Sequence, residues 1–276
     1  NYKLYWITDK GTTVYSNILN NLASKYIDSF FEQANLNPFF WKKISEKFDF
    51  KSEYFDYILD TQKSILRTIA IKRINHKYFI SGTANGLFSS KKLKKNKHKN
   101  KYYLNYIFDL LDLVKKQKID NSFYLPIDSN LETSISKILI ENNNYVGIAP
   151  GAGEKNKIWP IENFISICTY LQSKNFNLVF FIGPDEIFLK KKLNKLFPSS
   201  IFIEDLIDGY KNIEIIMATT KFLKLAISND SGVSHMLSTG YCPLIKLFGP
   251  KDPTKFTPDK KNLFSISSNE FNSSNI

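Results

Sequence analysis

Apolar residues in the second half of this chain recur with two periods that take turns. Tyr145–Ala149, Leu178–Ile182, Ile201–Ile203, Phe222–Ser228 and Pro243–Phe248 are short apolar runs, the spacing of buried strands, and the last of them is the last clear strand. Between them the period becomes helical. Ile161, Phe164, Ile165, Cys168 and Leu171 share one stripe behind Pro160, a favourable first helical residue. Residues 186–196, 212–219 and 233–238 also read as helices. Strands alternating with helices make βαβ units, hence a parallel sheet covered on both faces. Ligands of such sheets bind beyond the carboxyl ends of the strands.

The first half is less regular. Residues 2–7 predict a strand, with Tyr2, Leu4 and Trp6 alternating, and 55–59 predict another. A helix is expected over 64–74, a short segment starts at Phe79-Ile80, and 102–116 returns to helical spacing through Leu104, Ile107, Phe108, Leu111 and Val114. Leu125-Pro126-Ile127 opens a linker region, with a short helix over 131–141. The expected division is an N-terminal domain over 1–125, a linker over 126–144 and a C-terminal domain over 145–276.

Composition narrows the class. A chain of 276 residues with 43% hydrophobic and 15% aromatic residues has room for two cored domains. Its net charge of +12 favours anionic partners: nucleotide diphosphates, phosphorylated glycans, acidic membrane surfaces or nucleic acid. Seven of the lysines fall between Lys91 and Lys101, a block that repels itself and suits a solvated loop. Cys168 and Cys242 are too few for a disulfide framework and read as buried free thiols in a reducing compartment. No apolar run approaches the ~20 residues of a membrane span.

Three strand-to-helix turns carry candidate chemistry. In Pro150-Gly151-Ala152-Gly153 small residues let the backbone approach a phosphate, and Lys155 and Lys157 follow. The loop is neither a Rossmann fingerprint nor a Walker loop, since Asn156 stands where a third glycine belongs and no Gly-Lys-Ser/Thr follows. Alone it also suits a plain turn. In Gly183-Pro184-Asp185-Glu186 the Glu186 carboxylate suits two ribose hydroxyls, or Asp185 or Glu186 simply caps the next helix. In Asp230-Ser231-Gly232-Val233-Ser234-His235, Ser231 and Gly232 sit where a helix begins and offers free N–H groups to a phosphate. His235, one of three histidines, falls about one turn in; the plainer alternative is a cap at Asp230 and a surface histidine.

Taken together, these turns resemble glycosyltransferase family 9, the group that includes ADP-heptose:lipopolysaccharide heptosyltransferases. The resemblance rests on Pro150-Gly151-Ala152, Lys157 before Trp159-Pro160, Gly183-Pro184-Asp185-Glu186, Asp230-Ser231-Gly232 with His235, and Phe248-Gly249-Pro250-Lys251-Asp252-Pro253, in the family's order and spacing. Upstream, Phe55–Gln62 resembles the family's strand ending in an Asp-x-Gln turn. The resemblance implies a GT-B fold, two Rossmann-like domains with parallel sheets facing across a cleft. It implies that Ser231, Gly232 and adjoining N–H groups hold a diphosphate, Lys157 compensates charge, Glu186 binds ribose, and Asp230 and His235 line the sugar-phosphate site. Pro150, Gly151, Ala152 and Gly183 complete the nucleotide site. No metal and no cofactor are implied. The donor implied is a nucleoside-diphosphate sugar, ADP-heptose first, and the acceptor a lipopolysaccharide core. A cytoplasmic location is implied, with peripheral contact of the lysine-rich run with the inner membrane.

Tyr2–Ile7 resembles the family's second strand. The first strand and the glycine loop bearing the catalytic base are therefore expected upstream of Asn1, and Asp9 does not inherit that role. Two alternatives remain: a nucleotide-binding relative without catalysis, and a basic nucleic-acid-binding module. The second has no supporting motif, and its aromatics do not interleave with the lysines.

Overall fold

The first half of the chain carries two short parallel ladders. The computed structural model describes residues 2–92, 103–115, 124–140, 144–183, 186–257 and 262–271. Its contacts divide the chain into two units, 1–121 and 122–276. In the first, β1 (Tyr5–Ile7) pairs with β2 (Ser29–Phe31), with the short helix α1 (Asn20–Ala23) between them. Then β3 (Phe55–Asp60) runs through α2 (Ile65–Lys72) to its partner β4 (His76–Ser81), and α3 (Tyr103–Lys115) follows. Ile44, Phe50, Ile58, Ile74 and Phe79 form its core. The β3 strand ends in Asp60, whose buried carboxylate accepts from Gln62 N at 2.9 Å, Thr68 Oγ1 at 2.6 Å and Ser81 Oγ at 2.8 Å. Those three bonds make Asp60 a brace of the expected Asp-x-Gln turn. Most of the lysine-rich run, 93–101, lies outside the described residues.

The second unit is one sheet with helices on both faces. Along the chain come α4 (Ser129–Ile138), β5 (Tyr145–Ala149), α5 (Ile161–Ser173), β6 (Asn177–Phe180), α6 (Ile187–Leu196), α7 (Asn212–Thr219) and β7 (Leu223–Asn229). They are followed by α8 (Gly232–Ser238), β8 (Leu244–Phe248), α9 (Pro253–Phe256) and β9 (Leu263–Ser267). The strand order is β6-β5-β7-β8-β9, all parallel. Alternation along the strands splits the apolar side chains between two cores. Tyr145, Val179 and Leu244 face Leu131, Ile215 and Leu237 of α4, α7 and α8, whereas Val146, Leu178 and Leu247 face Phe164, Cys168 and Leu193 of α5 and α6.

Two expectations need correction. Ile201–Ile203 is no strand: Ile201 makes a single bridge to Val179, and a 3₁₀ turn follows at Ile203–Asp205. The strands do not end at Phe248, because β9 adds a fifth. β2 carried no strand prediction. Within 126–144 the short helix expected over 131–141 is α4, capped by Asp128 and burying Leu131, Ile135 and, at its C-terminal end, Leu139 in the second unit. Both cysteines are buried free thiols, with burial pushing their pKa values up to about 12. Among the described residues no helix is long and apolar enough to cross a membrane.

Candidate functional site

The chain leaves β5 for β6 on one side and returns to β7 on the other, so β5 and β7 flank the topological switch point of the sheet. The loops after β5, β6, β7 and β8 hold, in turn, Pro150–Gly153, Ile182-Gly183, Asp230-Ser231 and Gly249-Pro250. A groove of about 720 Å³ opens elsewhere, at the amino end of β7 beside Glu132, Lys221 and Tyr241. The strands' carboxyl ends carry the converging polar groups, and the site is built there.

Asp230 is its centre. Its N–H donates to Leu247 O at 2.9 Å, which extends the β7–β8 ladder and buries the residue to 4% exposure. Two lysines share its carboxylate. Lys157 Nζ lies 3.4 Å from Oδ2, and Lys246 Nζ lies 3.3 Å from Oδ1. Lys157 also reaches Glu154 at 3.1 Å. Lys246 stands in β8 and is completely buried. It donates weakly to Phe256 O at 3.4 Å and lies 5.0 Å from the Phe248 ring centroid. A buried ammonium persists only with such a partner. Desolvation drives the Lys246 pKa down, Asp230 opposes this, and Lys157 adds to the fall. For Lys157 desolvation again acts downward, but Glu154 and Asp230 outweigh it and the pKa rises.

Glu186 decides the second turn. Its main chain occupies the position before α6, yet its side chain makes no capping hydrogen bond there. The carboxylate instead lies against Gly151 and Gly183, so closely that a Cβ on either glycine would collide with it. Only residues without side chains allow this approach, so the plain capping reading of Glu186 gives way to a carboxylate presented beside the 150–153 loop. Pro184 and Asp185 lie outside the described residues.

Two buried polar groups hold these loops. Asn229 Nδ2 donates to Pro150 O at 2.6 Å, and its Oδ1 accepts from Trp159 N at 3.2 Å. It thus ties both ends of the Lys157 segment to β7. Glu204 accepts from Ile182 N at 3.2 Å, and burial raises its pKa to about 7 despite that bond.

At the start of α8 Ser231 forms a capping box with Ser234: Ser234 N donates to Ser231 Oγ at 3.4 Å and Ser231 N to Ser234 Oγ at 3.2 Å. The first N–H groups of a helix have no partner within it, and the space around Gly232 is open. His235 is exposed on the next turn. Desolvation, then the charge of Lys246, lowers its pKa, against the pull of Asp230.

The sequence-predicted residues therefore meet in two groups, Lys157 with Asp230 and Glu186 with Gly151 and Gly183. Ser231, Gly232 and His235 continue directly from Asp230, and Ala152 is buried in the glycine loop. Lys246, Asn229 and Glu204 escaped sequence reading. One signal for Lys246 was present, a lysine inside the apolar run of β8. In the first unit Asp9 is occupied structurally, ion-paired with Arg67 and accepting from Leu36 N at 2.7 Å. Among the described residues no three His, Cys, Asp or Glu side chains gather as a metal site.

The family model for glycosyltransferase family 9 (heptosyltransferase) matches residues 48–275. The chain belongs to this family. A lipopolysaccharide core heptosyltransferase, OpsX of Haemophilus influenzae, is 26% identical over 113 residues, 40% of this chain. The match spans about a third of that relative, 32% of its length. Among solved structures, a family 9 glycosyl transferase from Veillonella parvula superposes with TM-score 0.68 at 16% identity, over 97% of this chain and 78% of that one. The E. coli heptosyltransferase WaaC with ADP gives 0.56 at 15% identity, over 96% and 93%. The family's GT-B α/β fold is thereby shown for this chain, with parallel sheets in both units.

Proposed function

We propose that this family 9 member transfers a sugar from a nucleoside diphosphate, ADP-heptose, to a lipopolysaccharide-core acceptor. The observation that carries the reading is the buried Asp230 flanked by Lys157 and Lys246 at the switch point, next to the start of α8. WaaC has been solved with ADP and with ADP-2-deoxy-2-fluoro heptose, which favours adenine and heptose here.

In the proposed step an acceptor hydroxyl oxygen attacks the anomeric carbon as the bond from that carbon to the diphosphate oxygen breaks. The electron pair leaves with the nucleoside diphosphate, so negative charge grows on the leaving group. Fixed donors at that position lower the barrier without reorganising. Lys157 and the Gly232 N–H at the start of α8 supply them, and Glu186 accepts from the ribose hydroxyls. Asp230 fixes both lysines. His235, its pKa held down by desolvation and the charge of Lys246, presents its imidazole to the sugar-phosphate. The acceptor's proton passes to a general base.

Calorimetric titration with ADP, UDP and GDP tests this reading, with Lys157→Ala and His235→Ala as controls. Selective ADP binding, weakened at least tenfold by Lys157→Ala, is expected. Binding of UDP or GDP instead would reassign the donor. A folded chain that binds no nucleotide would overturn the site.

A further inference from the structure

We propose that residues 37–44 of the first unit form an interfacial anchor for a bilayer containing anionic lipid. The inference stands apart from the donor site, since it needs no sugar and is read by binding rather than turnover.

Phe39, Phe40 and Trp41 are consecutive and stand 47%, 84% and 65% exposed. Their rings pack on one another: Phe39 stacks on Trp41 at 5.0 Å, and Phe40 meets Trp41 edge-on at 4.8 Å. The cluster is braced from behind by Arg73. Its guanidinium donates to Asn37 O at 2.5 Å, Lys42 O at 2.6 Å and Phe40 O at 3.5 Å. The loop closes on itself through Asn37 N to Ile44 O at 2.9 Å, and Ile44 is buried in the core. The backbone is therefore fixed while the rings face outward. Three joined aromatic rings held in water are unfavourable unless something covers them.

The charges around the rings identify the cover. A shallow groove beside them is lined by Phe40, Trp41, Lys42, Lys43, Lys51 and Arg73, with no acidic side chain among the described residues that line it. Glu46 lies next to the groove, 3.7 Å from Lys43, and both side chains are largely exposed. Asp49 is engaged with Lys51 N at 3.1 Å. Cations on long stems beside Trp and Phe match the two layers of a membrane surface: rings at headgroup depth, ammonium groups among the phosphates. Each such cation raises partition onto anionic lipid about fivefold.

The test is co-sedimentation of the full chain with vesicles of phosphatidylethanolamine and phosphatidylglycerol, against phosphatidylcholine alone. Trp41 emission is taken as the difference between the native chain and Trp41→Phe. Salt-sensitive binding to the anionic vesicles is expected, with a blue shift of Trp41 and no competition by inorganic phosphate. Phe40→Ser/Trp41→Ser is expected to lose at least tenfold in partition, and Lys42→Gln/Lys43→Gln roughly as much, with circular dichroism unchanged. Undiminished partition of the folded aromatic variant would overturn the proposal. So would competition by inorganic phosphate, or concentration-dependent self-association that the aromatic variant abolishes without any vesicle binding.

Discussion

The two units bury a carboxylate each and satisfy it differently. The second buries charge and pairs it inside: Asp230 is 4% exposed, Lys246 is fully covered, and Asn229, at the carboxyl end of the central strand β7, ties both ends of the β5–α5 loop. The first unit buries the Asp60 carboxylate among neutral N–H and O–H donors, and spends a guanidinium on holding three aromatic rings outward. A five-stranded sheet with two cores holds paired charges in fixed places, as a site for a leaving diphosphate requires.

Breaking the central pair tests this contrast most severely. Asp230→Ala leaves Lys246 buried without its carboxylate, whereas Lys157 retains Glu154. A loss of about 3–5 kcal/mol in urea unfolding is expected. Adding Lys246→Met should return most of it, since a buried pair replaced by apolar groups is often neutral. If the single change costs less than about 1 kcal/mol, the pair is not what fixes the site.

The next effect is a pH dependence confined to the second unit. The pKa of Glu204 is about 7 in the folded chain, against an ordinary 4.5. A raised folded value means stability fully present below the unfolded pKa and lost as pH rises through the folded one. Stability should therefore fall between about pH 4.5 and pH 7 and then level off. Glu204→Gln keeps an oxygen acceptor for Ile182 N and removes the titration. It should flatten the curve and stabilise the chain at pH 8 by at most about 3 kcal/mol. A thermal-unfolding series across this range that is the same for both proteins would contradict the assignment.

What could be read from the sequence follows from the same contrast. Strands buried on both faces leave unbroken apolar runs, so β5, β6, β7 and β8 were legible together with α5, α6, α7 and α8. β9 is an edge strand whose Phe264 and Ile266 are exposed at 53% and 38%, and its alternation with serine gave a weaker pattern. The strand expected over 2–7 is present as β1 at Tyr5–Ile7, whereas β2, three residues long, is too short for periodicity to separate from loop. At the site, the residues in the turns were legible because turn chemistry is local. Lys246 was not, because its meaning comes from register: it pairs with Ser228 across the ladder, two residues before Asp230. Asn229 and Glu204 likewise act on segments far off in sequence, 79 residues for Asn229 to Pro150 and 22 for Glu204 to Ile182.

The smallest expected effect sharpens the contrast between a positioned ion pair and a solvated one. Lys157 is divided between Asp230 and Glu154, and Glu154 is 53% exposed where Asp230 is buried. An incoming diphosphate competes with Glu154 for the ammonium and repels it, since both are anions on one cation. Glu154→Gln removes that competitor and leaves Asp230 in place. An exposed pair of this kind is worth about 0.2–1 kcal/mol, so ADP should bind about 1.4- to fivefold more tightly. The matching change in the first unit, Glu46→Gln beside Lys43, breaks a pair exposed at 76% and 81% and should leave ADP affinity unchanged. Weaker ADP binding in Glu154→Gln would mean that Glu154 aims Lys157 at the ligand rather than restraining it, and the role of the Pro150–Lys157 loop would have to be redrawn around that carboxylate.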